Sequence, residues 1–213
     1  MKIAIFGASG WIGGAVAREA LDRGHTVSAI VRDPARLQLN HKGLSAVTGD
    51  VTDSASISSV VAGVNAVAAA IGGRREGHHE VVSAAVRALL TGLAAAGVKR
   101  LVWVGGAGSL EVAPGVCLID TPQFPAEWKA EALAQAEALK LFRASTGSVE
   151  WSFLSPPAML EPGQRTGRYR TGGDQLLVDE KGVSRISVED YAAALVDELE
   201  RPSHLRQRFT VAY

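Results

Sequence analysis

Three glycines near the start of the chain are spaced so that they could hold a phosphate group. They lie in the run Gly7-Ala8-Ser9-Gly10-Trp11-Ile12-Gly13, which follows an apolar segment directly and opens a segment of helical period. Gly7 would permit a tight turn, Gly10 would let the backbone approach a pyrophosphate, and Gly13 would let the helix pack closely on the strand. Free N–H groups at a helix N-terminus favour an anion. We therefore predict that the whole run contacts the pyrophosphate of a dinucleotide, the alternative being a plain strand-to-helix turn.

Arg32 stands where the adenosine ribose of a dinucleotide would be recognised, directly after a predicted strand at residues 26–31. An acidic residue at this position binds a ribose 2′-hydroxyl, whereas an arginine binds a 2′-phosphate. Asp33 follows, but Asp33-Pro34 also fits a helix N-cap with proline at the first helical position. The sequence therefore favours NADP(H), with NAD(H) as the alternative. Arg36 and Ser9 could add a charge and a hydroxyl, or could be solvated surface side chains.

Further cofactor contacts are predicted at the ends of the next three strands. Asp50 follows the third strand, where it would meet the edge of the adenine ring. Small side chains at the end of the fourth strand would allow close approach of the cofactor, although ordinary core packing explains the alanines there equally well. The predicted contacts in this group are Asp50, Val51, Ala69, Ala70, Ile71 and Gly105.

The hydrophobic pattern supplies the elements that must position these residues. Apolar runs of strand length alternate with longer stretches of helical period, which is typical of a doubly wound α/β sheet. We predict about seven mostly parallel strands, at residues 2–6, 26–31, 44–48, 66–71, 100–104, 149–154 and 209–211. Helices are predicted at residues 11–23, 54–62, 80–96 and about 125–142. The prediction is one Rossmann domain over residues 1–213, with substrate-side segments at about 105–125 and, toward the C-terminus, 155–187.

Charge balance and residue types exclude several kinds of partner and site. The 22 Lys and Arg residues balance 22 Asp and Glu residues, so no net charge favours nucleic acid or an anionic membrane. Cys117 is the single cysteine, which excludes an internal disulfide and a cysteine metal cluster. His78 and His79 are adjacent and lack the spacing of a metal-binding pair, so we predict no metal. With no signal peptide and no apolar run near ~20 residues, we expect a cytoplasmic monomer or homodimer that acts on a small molecule.

With these motifs, the chain resembles the atypical short-chain dehydrogenase/reductase superfamily, in particular its NmrA-like and NADH-flavin-reductase-like group. The glycine loop and Val31-Arg32-Asp33-Pro34 carry the likeness to the superfamily. The likeness to the subgroup is carried by Gly49-Asp50-Val51-Thr52-Asp53, Gly105-Gly106-Ala107-Gly108-Ser109 and Ile186-Ser187-Val188-Glu189-Asp190-Tyr191-Ala192. The resemblance implies an NADP-binding Rossmann fold whose substrate pocket is built from the segments after strands four, five and six.

The resemblance also implies catalytic residues, and here the chain departs from the pattern. Well-known members use a Tyr and a Lys one helical turn apart, with a Ser after the fifth strand. Ser109 matches the serine position, although a turn serine or helix cap explains it equally well, and Lys129 lies on the predicted helix at 125–142; these two are the catalytic candidates. No tyrosine lies on that helix, because the chain has only Tyr169, Tyr191 and Tyr213.

The absence of a tyrosine acid limits the types of reaction that the protein could catalyse. The indole N–H of Trp128, beside Lys129, cannot give up a proton near neutral pH. Ketone reduction without a positioned acid would lose a factor of about 10²–10⁴. A flavin or quinone spreads the charge of an incoming hydride over its ring, so the sequence favours an NADP(H)-dependent oxidoreductase with a flavin- or quinone-like acceptor. The alternative is an NADP-binding redox sensor that acts through a protein partner; a sugar-nucleotide epimerase or dehydratase ranks last, because it needs the tyrosine and a larger C-terminal domain.

Two loops complete the predictions. The segment from Gly72 to His79 follows the fourth strand and contains Arg74 and Arg75, so it is either a mobile basic lid or a solvated loop. Pro156-Pro157 follows the sixth strand and either shapes a pocket wall or forms a rigid turn. Both loops would lie at the cofactor side of the sheet.

Overall fold

The computed structural model describes residues 1–73 and 77–213. Its strands are β1 (Lys2–Phe6), β2 (Thr26–Val31), β3 (Leu44–Thr48), β4 (Ala66–Ala69), β5 (Arg100–Val104), β6 (Glu111–Ala113), β7 (Val116–Cys117), β8 (Glu150–Ser155), β9 (Met159–Glu161), β10 (Arg170–Gly172), β11 (Arg185–Ser187) and β12 (Gln207–Ala212). Its α-helices are α1 (Trp11–Asp22), α2 (Ser54–Val60), α3 (Glu80–Ala95), α4 (Lys129–Ala144) and α5 (Val188–Glu200). Short 3₁₀ helices span Pro34–Arg36, Leu118–Asp120 and Ala126–Trp128.

Eight strands form the central sheet, in the order β10-β12-β8-β5-β4-β1-β2-β3. Neighbouring strands are parallel except β10, which runs antiparallel to β12 at one edge. β1 lies between β2 and β4, so that Ile3 is in register with both Val27 and Ala66. β2 and β3 therefore lie on one side of β1, whereas β4 and β5 lie on the other. In sheets with such a change of strand order, ligands bind in the crevice at the carboxyl ends of the strands, beside the point where the order changes.

Helices cover both faces of the sheet, which confirms the doubly wound α/β prediction. One buried cluster joins Ile3 and Ile5 of β1 to α1 and α5, for example through Val16 and Leu195. The other joins Ala4 and Phe6 of β1 to α2, α3 and α4. Because strand side chains alternate between faces, β1 contributes to both clusters. Burial of apolar surface on both faces is the main stabilising term of the fold.

An aromatic cluster fixes α4 on the sheet. The ring of Phe142 in α4 lies 5.5 Å from Trp103 of β5, 5.3 Å from Trp151 of β8 and 6.1 Å from Phe153 of β8, between ring centroids. Separations in this range are typical of favourable aromatic pairs. The N-terminal end of α4, which reaches the carboxyl ends of the strands, is positioned by this packing.

The structure adds elements that the sequence pattern did not predict. β10 makes the sheet eight-stranded, where about seven strands were predicted, because Arg170-Thr171-Gly172 carries no apolar side chain and joins the sheet through its backbone. β4 ends at Ala69, two residues before the predicted end at Ile71. Helix α5 was not predicted either, although most of its residues are buried.

No helix within residues 1–73 and 77–213 has both the length and the apolar character needed to cross a membrane. In the same described ranges, no group of three or more His, Cys, Asp or Glu side chains is placed to bind a metal ion. The loop predicted over residues 72–79 includes Arg74, Arg75 and Glu76, which lie outside the described residues.

Candidate functional site

The glycine loop leaves β1 and forms a turn that side chains would obstruct. Gly7 has φ of +83°, and a Cβ atom built on it would lie 2.2 Å from the carbonyl oxygen of Ala70. A Cβ on Gly13 would lie 2.1 Å from the carbonyl oxygen of Gly7. The close approaches require glycine at both positions, and the positive φ is a second reason at Gly7. The loop can therefore pass between β4 and α1 only because these side chains are missing.

The N-terminus of α1 is open to an anion. Gly10 is the N-cap and supplies no side-chain cap, and the first turn of α1 carries no acidic residue. The N–H groups of the first turn have no intrahelical partner, and the positive end of the helix dipole lies there. Two observations thus fit the diphosphate of a dinucleotide: a cradle from which Cβ atoms are excluded, and an uncapped helix end.

A cleft of about 580 Å³ opens beside this loop and is called the edge cleft here. Its volume lies in the usual range for small-molecule and cofactor sites. It is lined by residues from the ends of β1, β2, β3 and β4 and from the start of α3. Of the predicted cofactor-binding residues, the lining includes Gly7, Ser9, Gly10, Arg32, Asp50, Val51, Ala70 and Ile71.

The other predicted residues lie outside this lining. Ala8 and Ala69 are buried in the core, whereas Trp11 is half exposed at the start of α1. Gly105 packs under the ring of Phe153, which a Cβ at this position would meet at 2.0 Å. The predicted residues absent from the lining are Ala8, Trp11, Ile12, Gly13, Ala69, Gly105, Ser109 and Lys129.

Arg32 and Arg36 line the corner of the edge cleft after β2. The Asp33 carboxylate between them accepts a hydrogen bond from the N–H of Ala35 at 3.0 Å and caps the 3₁₀ helix that begins at Pro34. Asp33 thus has the N-cap role that its sequence context indicates, while two guanidinium groups lie in the corner where a 2′-phosphate would be bound.

Asp50 presents an ionised carboxylate on the opposite side of this corner. Its Oδ1 accepts from the Thr52 N–H at 2.8 Å and from the Thr52 hydroxyl at 2.7 Å. These bonds from Thr52, together with the nearby charge of Arg32, hold the pKa of Asp50 below its usual value. The carboxylate therefore stays charged at neutral pH and can accept hydrogen bonds from an adenine amino group.

A polar network, which the sequence analysis did not identify, holds the cleft wall formed by Ile71, Gly72 and Gly73. Gln135 of α4 donates to the carbonyl of Ile71 at 2.9 Å and accepts from the Trp103 indole at 3.0 Å. The Glu131 carboxylate accepts from the N–H of Gly73 at 2.9 Å. No motif marks these α4 residues, because the segment Lys129–Ala144 reads as an ordinary amphipathic helix. Two side chains of α4 therefore fix the segment that follows β4.

The network also includes His79, the N-cap residue of α3. His79 Nδ1 lies 2.9 Å from Glu131 Oε2, and Gln135 Nε2 lies 3.2 Å from Glu131 Oε1. Side chains of His79 and Glu131 are 27% and 19% exposed, so the pair lies partly at the surface. The network therefore links α3, α4 and the wall of the edge cleft.

The two catalytic candidates are not brought together with the edge cleft. Arg208 donates to the hydroxyl and the carbonyl of Ser109, which ties the loop after β5 to β12. Lys129 is exposed at the first residue of α4. Their catalytic roles stay predictions.

All three tyrosine hydroxyls are hydrogen-bonded on the α5 side of the molecule. Tyr191 donates to the carbonyl of Leu154 at 2.7 Å, Tyr213 to Asp190 at 2.7 Å, and Tyr169 to Asp197. Burial raises the pKa of both Tyr169 and Tyr191 well above the ordinary value. Neither residue lines the edge cleft, and no tyrosine is among the lining residues that the structure describes.

Ser155 places a buried hydroxyl at the carboxyl end of β8. The residue has no solvent exposure, and its Oγ has no hydrogen-bond partner among the described residues. Buried polar atoms are normally paired, so an unpaired one is unusual. Pro156-Pro157 follows at once and directs the chain away from the sheet.

Comparison with known proteins yields one family and several relatives. The family model described as NAD(P)H-binding matches residues 7–199. The chain is 45% identical to the uncharacterized protein YwnB of Bacillus subtilis over 99% of this chain and 98% of that protein. It is 26% identical to the NAD(P)H azoreductase of Xenophilus azovorans over 98% of this chain and 67% of that protein.

Solved structures give the same fold. A Burkholderia pseudomallei structure described as a candidate exported protein is 47% identical, with a TM-score of 0.91 and full coverage of both chains. A candidate epimerase from Bacteroides thetaiotaomicron is 40% identical, with a TM-score of 0.91, over 100% of this chain and 96% of that chain. A candidate NADH-flavin reductase from Streptococcus pneumoniae TIGR4 is 35% identical, with a TM-score of 0.87, over 100% of this chain and 99% of that chain.

Proposed function

The chain belongs to the NAD(P)H-binding family, and on this premise we propose that it is an NADP(H)-dependent oxidoreductase whose acceptor is a flavin, a quinone or a similarly conjugated molecule. A bound nicotinamide cofactor supplies a hydride. The protein would bind the cofactor along the edge cleft, orient it against the acceptor and exclude water. The observation that carries the proposal is the engagement of every tyrosine hydroxyl away from the cleft.

The preference for NADP(H) rests on the corner after β2. Arg32 and Arg36 bring two positive charges to the cleft there, and the Asp33 carboxylate caps a helix. A 2′-phosphate would gain charge-assisted hydrogen bonds from this corner, whereas a bare 2′-hydroxyl would leave the guanidinium groups with only water and protein partners. This charge distribution supports NADP(H) over NAD(H).

Two observations support a conjugated acceptor. The edge cleft lacks the tyrosine acid, and two relatives have names that fit such acceptors. Reduction of an isolated ketone requires a positioned acid, and the tyrosine that would provide it is not in the cleft. A conjugated ring accepts the hydride without that acid. Two relatives have names that fit such acceptors, the candidate NADH-flavin reductase at 35% identity and the NAD(P)H azoreductase at 26% identity. An azo bond between aromatic rings is also a conjugated acceptor.

Exposed apolar side chains at the carboxyl edge could stack against such a ring. Trp11 is 52% exposed at the start of α1, Trp128 is 43% exposed before α4, and Met159 is 46% exposed just after β8. Each follows a parallel strand and therefore lies at the same edge of the sheet as the edge cleft. Aromatic and thioether groups favour flat, polarizable ligands.

The test is oxidation of NADPH by the purified protein with FMN, riboflavin, a simple quinone and an azo dye as acceptors, with NADH in parallel. Turnover of at least one conjugated acceptor, with a lower KM for NADPH than for NADH, supports the proposal. Steady reduction of simple ketones with no turnover of conjugated acceptors would overturn it. Tight NADPH binding without any turnover would instead support the redox sensor, whose output requires a protein partner.

We also propose that the protein acts in the cytoplasm as a monomer or homodimer on a small molecule, without nucleic acid or membrane partners. Its balanced charge supports this proposal. The similar Burkholderia protein is described as a candidate exported protein, so location needs its own experiment. Cell fractionation and light scattering of the purified protein measure location and oligomeric state directly.

A further inference from the structure

The carboxylate of Glu131 contacts the wall of the edge cleft. Glu131 is not among the residues that the sequence predicted to contact a cofactor. It lies in the first turn of α4, and its Oε2 accepts from the N–H of Gly73 at 2.9 Å. A Cβ built on Gly72 would lie 2.9 Å from Glu131 Oε1. Both glycines line the edge cleft. Because Gly72 has no side chain, nothing at that residue separates the carboxylate from the cleft wall.

The sheet order determines which part of a dinucleotide would reach this position. The glycine loop follows β1, and the arginine corner and Asp50 follow β2 and β3 on one side of it. With the adenosine half on that side and the diphosphate at the loop, the other half of the cofactor must extend over β4 and β5. Glu131 belongs to the helix after β5 and contacts the segment after β4. It is therefore on the nicotinamide side.

The carboxylate also has capacity for a ligand. Its described donors are the Gly73 N–H and His79 at Oε2, each at 2.9 Å, and Gln135 at Oε1 at 3.2 Å. A carboxylate offers about four acceptor positions, so one is left, on the oxygen with the longest bond. The side chain is 19% exposed, which leaves it accessible to a ligand. Acidic side chains bind ribose hydroxyls in dinucleotide-binding proteins, because two hydroxyl donors suit a carboxylate.

We infer that Glu131 accepts hydrogen bonds from the ribose hydroxyls of the nicotinamide half of the cofactor, with His79 and Gln135 as positioning residues that fix its carboxylate. The inference rests on the proposed cofactor site. Lys129, two residues earlier, is exposed and does not contact the cleft lining in this way. In this arrangement the ribose hydroxyls would be bound by an anion that three donors hold in place.

Calorimetric binding of two ligands separates this role from a merely structural one. NADPH contains the nicotinamide ribose, whereas 2′,5′-ADP contains only the adenosine half. Glu131→Gln and Glu131→Ala should each raise the Kd for NADPH about tenfold or more and change the Kd for 2′,5′-ADP by less than twofold. Glu137→Gln, on the exposed part of the same helix, should change neither Kd.

A second measurement compares NADPH with an analogue, and its part on the unsubstituted protein does not depend on how the variants fold. An NADPH analogue that lacks the 2′-hydroxyl of the nicotinamide ribose should bind the unsubstituted protein about tenfold more weakly than NADPH does. The variant Glu131→Ala should bind this analogue no more weakly than it binds NADPH. Equal weakening of NADPH and 2′,5′-ADP, or full affinity for the deoxy analogue, would overturn the inference and leave the proposed function intact. Failure of the unsubstituted protein to bind either NADPH or 2′,5′-ADP would overturn the proposed function as well.

Discussion

Arg208 donates one hydrogen bond to the hydroxyl of Ser109 and one to its carbonyl, each at 2.9 Å, across 99 residues of sequence. The Arg208 side chain is 3% exposed and is also paired with Asp174. Burial would raise the pKa of Asp174, but Arg208 and Arg143 lower it, so the pair is charged at neutral pH. The hydroxyl that the family resemblance marks as catalytic thus has a structural partner in this chain.

Ser109→Ala should therefore change stability more clearly than turnover. We expect a loss of about 1.5–3 kcal/mol in the free energy of unfolding, because one charged hydrogen bond is removed and the carbonyl bond is kept. The kcat with a conjugated acceptor should fall less than threefold. Denaturant unfolding and steady-state kinetics measure both, and a fall in kcat of about 10² or more would establish a catalytic role for Ser109.

Gly13→Ala should unfold the site. The new Cβ would lie 2.1 Å from the Gly7 carbonyl, so α1 or the glycine loop must move. Overpacking of this kind costs about 1–3 kcal/mol, and NADPH binding should be lost. Gly147→Ala is the control, because no atom lies within 4 Å of its Cβ position. A Gly13→Ala protein that binds NADPH normally would show that the loop does not hold the diphosphate.

Arg32→Ala should reverse or remove the preference for the phosphorylated cofactor. Loss of one charged hydrogen bond to the 2′-phosphate corresponds to about 1.5–3 kcal/mol, which is at least tenfold in the Kd for NADPH. The Kd for NADH should change by less than threefold. Parallel titrations with the two cofactors measure this difference, with Arg36→Ala to assess the second guanidinium. Equal effects on NADPH and NADH would contradict the assignment.

The loss of folding stability at low pH should depend on Asp190, which is fully buried at the start of α5. Its carboxylate accepts from the Thr166 N–H and hydroxyl, the Gly167 N–H and the Tyr213 hydroxyl. Burial alone would raise its pKa, but these bonds lower it. A lowered folded-state pKa gives stability that is complete above the unfolded value near 4 and is lost as pH falls through the folded value.

Asp190→Asn should therefore cost about 2–3 kcal/mol at pH 7, where the unsubstituted protein has a charged acceptor. The difference between the two proteins should shrink as the pH falls below about 4. Urea unfolding between pH 3 and pH 7 measures this, with Asp22→Asn, at an exposed position, as the control. A difference that stays constant with pH would mean that folding does not change the pKa of Asp190.

Ser155→Ala should be neutral or slightly stabilising in the protein without ligands. The hydroxyl is buried and has no partner among the described residues. Its removal therefore removes the desolvation cost of an unpaired polar group. If the hydroxyl serves a bound cofactor or acceptor, the same variant should bind that ligand more weakly. Thermal unfolding with and without NADPH distinguishes the cases, since the ligand-induced rise in Tm would then be smaller in Ser155→Ala. Clear destabilisation without ligand would mean that the hydroxyl has a partner in solution.

Eight of the residues predicted to contact a cofactor line the edge cleft, and the sequence signals that marked them are local. Gly7 and Gly13 are required by backbone geometry within a few residues, and Arg32 follows a strand whose end is marked by composition. Parallel strands covered on both faces also appear as uninterrupted apolar runs. These features need no knowledge of distant parts of the chain.

The contacts of Glu131 and Ser109 could not be predicted in the same way, because they join distant segments of the chain. Glu131 meets Gly73 across 58 residues, and Arg208 meets Ser109 across 99. Neither pairing leaves a periodic or spaced signal in the sequence. β10 was missed for a related reason, since three polar residues join the sheet through hydrogen bonds of the backbone alone.

The position of β12 also constrains the order in which the sheet can assemble. β12 lies between β8 and β10, although both precede it in the chain. The antiparallel edge strand therefore has no neighbour to pair with until residues 207–212 are synthesised and docked on β8. Until then the open edge of β8 is a template for pairing with other chains. Chaperone demand during synthesis should thus be highest in the interval between the emergence of β8 and that of β12.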